Sequence, residues 1–577
     1  MAEIILSPGV LANENDQSQI RSLPVVAGAA IIGPTVKGKK NIPRLVTTFS
    51  EFQAEFGTTF VSGSTDEFSF LTSISANNYF QQGGTSLLVT RIANGTFAPA
   101  SSSLIPTGSN GGGNLAANTS PFILESLSEG TILNSFGGTE GPNNTLTNGT
   151  SDNFRFEITS PSIDQGVFTL VIRRGDDTLN SKTILETFTN VSLDPKQSNY
   201  IERVVGNQIQ NTVGSGTDIY VRTSGSYANA SRFVRVKVVN FPTPDYFDNN
   251  GSPKDAFTSS IPAASSGTFG GGLGEVYTGT NTLYENIGTT TQGLADTDYA
   301  DAINILANKD EYQFNIISAP GLNNADHPTP IGNLIEMVEN RGDAIAVIDL
   351  VRYGSTITTV TSEAGERDSS FAAAYWPWLQ VAEPNNGQIV WVPASTLIPG
   401  VYANTDATAE TWFAPAGFNR GGLLGVVQAE RKLSQSQRDT LYVGKVNPIA
   451  TFPGRGVVVF GQKTLQQQQT ALDRVNVRRL LISLKSFISQ VSDNLVFEQN
   501  TAATRNNFLA QVNPFLESVQ QRQGLFAFKV VMDDTNNTPD VIDRNQLVGQ
   551  IFLQPTRTAE FILLDFNILP TGATFPS

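Results

Sequence analysis

Phe314-Asn315-Ile316-Ile317-Ser318-Ala319, then Ile331 to Asn340, then Ala344-Ile345-Ala346-Val347-Ile348-Asp349-Leu350 decide the fold. The first run reads as a strand stopped by Pro320-Gly321, because those two residues punctuate an extended segment. The second carries apolar residues at steps of three and four, the period of an amphipathic helix. The third is a continuous apolar run, the pattern of a strand covered on both faces. Strand, helix and strand at this spacing fit a parallel crossover and so an α/β unit, here taken as residues 296–430.

A second α/β piece is expected at residues 24–95. Val25 to Ile32 is a short buried-strand run stopped by Gly33-Pro34. Ser50 caps a helix over Glu51 to Phe56, closed by Gly57, and Ser69 to Gln82 suits a helix closed by Gly83-Gly84. Leu87 to Ile92 returns as a strand. Between these two pieces, residues 96–295 are rich in Gly, Ser, Thr and Asn. They hold alternating strands such as Phe154-Arg155-Phe156-Glu157-Ile158 and Phe233 to Val238. Short alternating strands with frequent turns predict a β-rich insertion, sandwich or barrel-like.

Residues 431–568 show the clearest helical face: Val477, Leu480, Leu481, Leu484, Phe487, Ile488, Val491 and Leu495. A second helix is expected from about Ala502 to Gln523, broken at Pro514 with Asn513 as the cap of a new segment. Strands follow over Phe526 to Met532, Leu547 to Leu553 and Glu560 to Ile568. Residues 1–23 read as an extended arm with one short apolar strand, Ile4-Ile5-Leu6, suited to pairing with another chain's sheet edge. Residues 569–577 form a short tail. The fold class expected is α+β multidomain, with an α/β core, the β-rich insertion and extended arms at both ends.

The chain has 577 residues, formal net charge −15, 15% charged residues, no cysteine and one histidine, His327. An acidic balance lacks the basic footprint that nucleic-acid binding requires. No apolar run is long enough to span a bilayer. Met1 to Gly9 has no basic region and too short an apolar run for a secretory signal, so synthesis and folding in a cytoplasm are expected. Disulfides and cysteine-held metals are excluded.

Each chemical lookalike has a plainer reading. Gly33-Pro34-Thr35-Val36-Lys37-Gly38-Lys39-Lys40 resembles a phosphate loop, but Lys40 stands where Ser or Thr would reach magnesium. Asp533, Asp534, Asp540 and Asp543 with Asn536 and Asn537 read as a polar turn rather than a calcium loop. His327 in Asp326-His327-Pro328 reads as a surface histidine. Arg341-Gly342-Asp343 reads as a helix-to-strand turn. Trp376, Trp378, Trp391 and Trp412 read as packing rather than a sugar platform. No Gly-x-Ser-x-Gly elbow is present, so neither an enzyme nor any cofactor is expected.

Several strings, in order, resemble the contractile tail sheath family. Early ones are Ser7-Pro8-Gly9-Val10, Ile32-Gly33-Pro34, Glu51-Phe52, Tyr79-Phe80 and Arg91. The middle holds Ala374-Tyr375-Trp376-Pro377-Trp378, Val392-Pro393-Ala394-Ser395 and Gly400-Val401-Tyr402. Towards the C-terminus come Asn447-Pro448-Ile449, Gly461-Gln462-Lys463-Thr464-Leu465, Val475 to Leu480, Phe497-Glu498-Gln499-Asn500, Asn537-Thr538-Pro539 and Ala559-Glu560-Phe561-Ile562. Phe460 and Lys463 depart from the usual tryptophan and arginine. Residues 96–295 show no such likeness.

The resemblance implies a structural subunit that stacks as six-fold rings in a helical sheath around a tail tube. It implies partners in that tube, the baseplate and the tail terminator or neck, and a place in a virion tail assembled in the host bacterial cytoplasm. Contraction would drive the tube through the target envelope without nucleic-acid binding or membrane insertion by this chain. Residues 431–568 would be the inner domain facing the tube. Strand exchange between subunits would use Ile4, Ile5, Leu6 and Val10 of the arm and Ile562, Leu564, Phe566 and Ile568 near the C-terminus. Arg478 and Arg479, adjacent on a helix, would contact the tube or a neighbour. The alternative is a carbohydrate-binding or adhesin-type surface protein.

Overall fold

The crossover expected from the sequence is present in a computed structural model, which describes residues 25–62, 66–107, 119–134, 138–275 and 291–560. Ile316–Asn323 and Ile345–Asp349 are adjacent parallel strands joined by the helix Pro328–Arg341. They sit in the middle of an eight-stranded sheet. Its strands in chain order are β1 Ala29–Gly33, β2 Pro43–Val46, β3 Leu87–Arg91, β4 Ile316–Asn323, β5 Ile345–Asp349, β6 Ala372–Trp376, β7 Asn447–Phe452 and β8 Gly456–Val459. Their spatial order is β8-β7-β6-β5-β4-β1-β3-β2. The six inner strands run parallel, and β2 and β8 close the edges antiparallel.

Residues on both faces of β1, β3, β4, β5 and β6 are buried, which explains why these segments lack polar alternation. Successive residues feed two different cores. Ala346, Ile348, Ala372 and Ala374 pack beneath the helices Ala300–Leu306 and Pro328–Arg341. Ile345, Val347, Ala373 and Tyr375 pack beneath Phe49–Phe56, Leu71–Gln81 and Ile398–Thr408. Thr48, rather than Ser50, caps the first of these: its hydroxyl accepts from the Glu51 N–H at 3.1 Å.

The chain leaves this sheet after β3 and returns before Ala300–Leu306, so the core is built from two separated stretches. Among the described residues the insertion between them is an antiparallel seven-stranded sheet with a separate two-stranded hairpin, Ile209–Val213 paired with Tyr220–Ser224. The spatial order of the larger sheet is Ile184–Ser192, Val167–Arg174, Phe154–Ser162, Ser265–Gly270, Pro99–Ser102, Phe122–Glu129 and Val234–Val239. The sheet curls into a half-barrel around buried Phe122, Phe154, Phe156, Phe168 and Phe269. Phe122 and Phe168, from opposite halves of the sheet, stack across the interior at 5.5 Å. The free edges are drawn together where Ser231 Oγ and the Arg232 N–H donate to Glu186 at 2.6 and 2.9 Å.

The C-terminal unit begins later than residue 431. Strands β7 and β8 extend the central sheet, because Asn447 and Pro448 pair with Tyr375 and Trp376 of β6. The unit itself consists of two helices, Val475–Asp493 and Ala502–Gln521, and two strands, Leu525–Val531 and Gln550–Pro555. Its core joins Leu480, Leu484 and Val491 to Phe508, Val512, Leu516, Val519, Leu525 and Trp412. The second helix runs through Pro514 without a break. Proline removes one backbone donor, but Pro514 lies on the exposed face, while Val512 and Leu516 on either side are buried and hold both halves in register. The arm residues 1–23, the tail 569–577 and nearly all of the expected strand Glu560 to Ile568 lie outside the described residues.

Candidate assembly interface

The residues that mimic chemical sites are consumed by structure. Lys37 of the phosphate-loop lookalike is buried; its ammonium donates to the Asp152 carbonyl at 3.0 Å and lies 3.8 Å from the Asp152 carboxylate. Burial pulls its pKa down. Lys39 pairs with Glu129 at 3.1 Å, and Arg91 donates to the Glu129 carbonyl at 3.0 Å. Burial lowers the Arg91 pKa to about 10. These three cations from the core thus pin the insertion in place.

His327 is not on the surface. It is fully buried at the start of the Pro328–Arg341 helix, where its Nδ1 accepts from the Asn323 N–H at 3.3 Å. Arg341 is also buried, with its guanidinium on Asp343 at 2.9 Å and the Tyr312 carbonyl at 2.8 Å, while Gly342 turns the chain at φ +73°. Asp533 accepts from the Thr535 N–H at 2.8 Å, and Arg505 pairs with Asp534 at 2.5 Å. Among the described residues no group of three or more potential metal ligands gathers, and no helix is long and apolar enough to cross a membrane. Trp376, Trp378 and Trp412 are buried, and Trp391 packs on Tyr353 at 5.2 Å.

Two features of the C-terminal unit face outward. Among the described residues its sheet has only two strands, Leu525–Val531 paired antiparallel with Gln550–Pro555, so each strand offers one edge without a ladder partner. Phe526 and Phe552 project from these strands, 75% and 56% exposed. Unpaired N–H and C=O rows beside exposed aromatics form a template for strand addition.

Arg478 and Arg479 are not part of that outward surface. Both are buried. Arg478 lies over the Phe371 ring at 3.9 Å and bonds Ser370, and burial lowers its pKa to about 10. Arg479 donates to Asp406 at 2.8 Å and lies 4.8 Å over Tyr402. Within the subunit these arginines fasten the first C-terminal helix to the central domain. Burial and these partners come from segments far away in sequence, so helical geometry alone could not assign them.

A cluster not singled out in the sequence holds the chain where it leaves the C-terminal sheet. Glu560 receives both Arg474 Nε at 2.7 Å and Nη2 at 3.0 Å, the Tyr442 hydroxyl at 2.9 Å and Gln462 Nε2 at 3.1 Å. Gln462 also donates to Thr558 at 2.6 Å. This clamp ties residues 556–560 back onto the central domain. The only signal in the sequence is that Glu560 and Gln462 each fall in a family-like string.

Fold and site together give a two-sided α/β core, an inserted half-barrel sheet, and a C-terminal unit whose sheet edges have no ladder partner among the described residues. Residues 293–465 match the phage tail sheath protein central domain, and residues 467–568 match the phage tail sheath C-terminal domain. Just under half of the chain, residues 293–465 and 467–568, thus carries the two domains of phage tail sheath proteins. It is 37% identical to the tail sheath protein of Enterobacteria phage T4 over 230 residues, 40% of this chain and 35% of that protein. With the tail sheath protein of Vibrio phage KVP40 it shares 42% identity over 185 residues, 32% of this chain and 28% of that one. The matches therefore span about a third of the length of these relatives. The crystal structure of a sheath tail protein from Listeria innocua has the same fold, with a TM-score of 0.51 and 12% identity over 93% of this chain and 96% of that one.

Proposed function

We propose that this chain is the structural subunit of a contractile tail sheath. Copies stack as six-fold rings around a tail tube in an extended state, and contraction drives the tube through the target envelope. The observation that carries this reading, beyond the two matched sheath domains, is the two-stranded C-terminal sheet, both edges of which lack a ladder partner among the described residues. Arm residues Ile4, Ile5, Leu6 and Val10 of one neighbour would add to one edge. Ile562, Leu564, Phe566 and Ile568 of another would add to the other.

Four ladder bonds at about 0.5–1.5 kcal/mol each would hold one joint by a few kcal/mol. Many joints act in parallel in a polymer. Because such a joint is made by backbone, domains can swing about it without breaking it. The work of contraction then comes from the difference in packing between two assembled states, with no hydrolysed cofactor. The tube, the baseplate and the tail terminator or neck are the other partners in this reading, and the virion tail is its location. Of the Trp residues that would have supported a sugar-binding surface, Trp376, Trp378 and Trp412 are in the core and Trp391 is half-buried against it.

Negative-stain microscopy of the full chain beside a chain lacking residues 1–22 tests the proposal. Tubes or stacked rings from the full chain, lost on truncation, are expected. Polymers from both would sink the arm's role, and monomers even with tube and baseplate present would sink the sheath.

A further inference from the structure

The turn between the two C-terminal helices is an isolated acidic and apolar knob. Val496 is 60% exposed and Phe497 101%, so the Phe497 ring stands clear of the other described residues. Phe497 holds φ at +72°, a backbone conformation that bulky residues rarely adopt. Asp493 and Glu498 flank it, exposed, and neither forms an ion pair among the described residues.

A complementary patch lies at the β8 edge of the central sheet. Phe418, Phe452 and Phe460 form one aromatic cluster, with centroids 5.0 Å apart for Phe418–Phe452 and 4.9 Å for Phe452–Phe460. Phe418 and Phe460 are exposed. Arg455 lies 4.7 Å over Phe418, and Arg438 lies 5.3 Å from the Phe452 centroid. Among the described residues neither arginine has a carboxylate partner. Two unneutralised guanidinium groups beside exposed rings are a local excess of positive charge in a chain of net charge −15. Arginine with aromatic rings is also the composition that anchors protein interfaces.

We propose that the Val496–Phe497 knob of one subunit docks into the Phe418/Phe452/Phe460 patch of the next copy, with Asp493 and Glu498 meeting Arg438 and Arg455. This rests on the sheath reading, since it supplies a contact between copies. The two surfaces differ, so the contact is head-to-tail. A contact of that kind generates rings or helices rather than closed dimers. The Phe497 ring joins the three-ring cluster edge-on or offset as a fourth, and the carboxylates neutralise cations that have no acid partner among the described residues.

Photocrosslinking of the polymerised full chain with Phe497→benzoylphenylalanine tests this. Mass spectrometry is expected to find links between copies to peptides carrying Phe418, Phe452 or Phe460. In parallel, Arg438→Glu with Arg455→Glu should raise the concentration needed for polymerisation by about tenfold or more. Adding Asp493→Arg and Glu498→Arg to the same chain should restore it. Arg455, Asp493 and Glu498 are exposed and Arg438 is half-buried, so circular dichroism and thermal melting check that each variant folds.

Polymers whose links fall on another face of a second copy, or on the tube protein, would overturn the docking and leave the sheath standing. Failure of the charge swap to restore assembly would do the same. A chain that stays monomeric at every concentration, with or without tube and baseplate, would overturn both.

Discussion

Glu560→Ala should loosen the point where the chain leaves the C-terminal sheet. The substitution removes the acceptor of four hydrogen bonds, two of them from Arg474. A hydrogen bond to a charged group contributes about 1.5–3 kcal/mol net. The Arg474 and Glu560 side chains keep 25% and 18% of their exposure, so solvent screens part of the attraction. Arg474 also retains Asp473 at 2.9 Å, so it is not left without a counter-charge.

A loss of about 2 kcal/mol for the whole clamp follows, an increase of roughly 30-fold in local opening. Arg557 sits on the clamped segment and is exposed beside a 530 Å³ cleft, which makes it a reporter for trypsin. When reclosing outruns cleavage, the cleavage rate follows the open population. Cutting at Arg557 should therefore accelerate by about 30-fold. Glu410→Ala, which removes the more exposed pair with Arg522, is the control and should leave that site unchanged. A Glu560→Ala rate within about twofold of the parent would refute the view that this cluster restrains residues 556–560.

Two more predictions concern stability. Burial pushes the Asp349 carboxyl up to about 7, although its carboxylate accepts the Ser395 N–H at 3.0 Å. The folded value lies above the unfolded value of about 3.9, so the fold binds the proton more tightly; stability should fall as pH rises from about 4 to 7 and then level off. Asp349→Asn should shrink the difference in melting temperature between pH 5 and pH 8, and an unchanged difference would count against the assignment. Pro514→Ala should stabilise the Ala502–Gln521 helix by about 1–3 kcal/mol, since proline inside a helix costs about 3 kcal/mol relative to alanine and solvent relieves part of that. Slower hydrogen exchange across 502–521 is expected, and faster exchange would show that the proline is needed there.

Periodicity carried most of the local structure. The runs at Phe314 to Ala319 and Ala344 to Leu350 could be recognised as buried parallel strands because every residue faces one of two cores. The helical face from Leu480 to Val491 was equally legible, since its apolar residues share one core with the partner helix. Turn chemistry placed Gly342 correctly, because a left-handed residue ends a helix wherever it lies.

What the sequence by itself determined, then, was the strand–helix–strand crossover, the two long C-terminal helices, the β-rich character of the insertion and the absence of cysteine chemistry. These depend on interactions between residues close in the chain. Tertiary structure decided the rest. It put β7 and β8 in the central sheet, although the chain pattern changes character before them. It buried His327, Arg478 and Arg479, and it carried a helix through Pro514 by packing its opposite face. It gathered Glu560, Arg474, Tyr442 and Gln462 into one clamp, and Phe418, Phe452 and Phe460 into one patch. Burial and the pairing of distant charges depend on which segments meet in space, and no local pattern of residues records that.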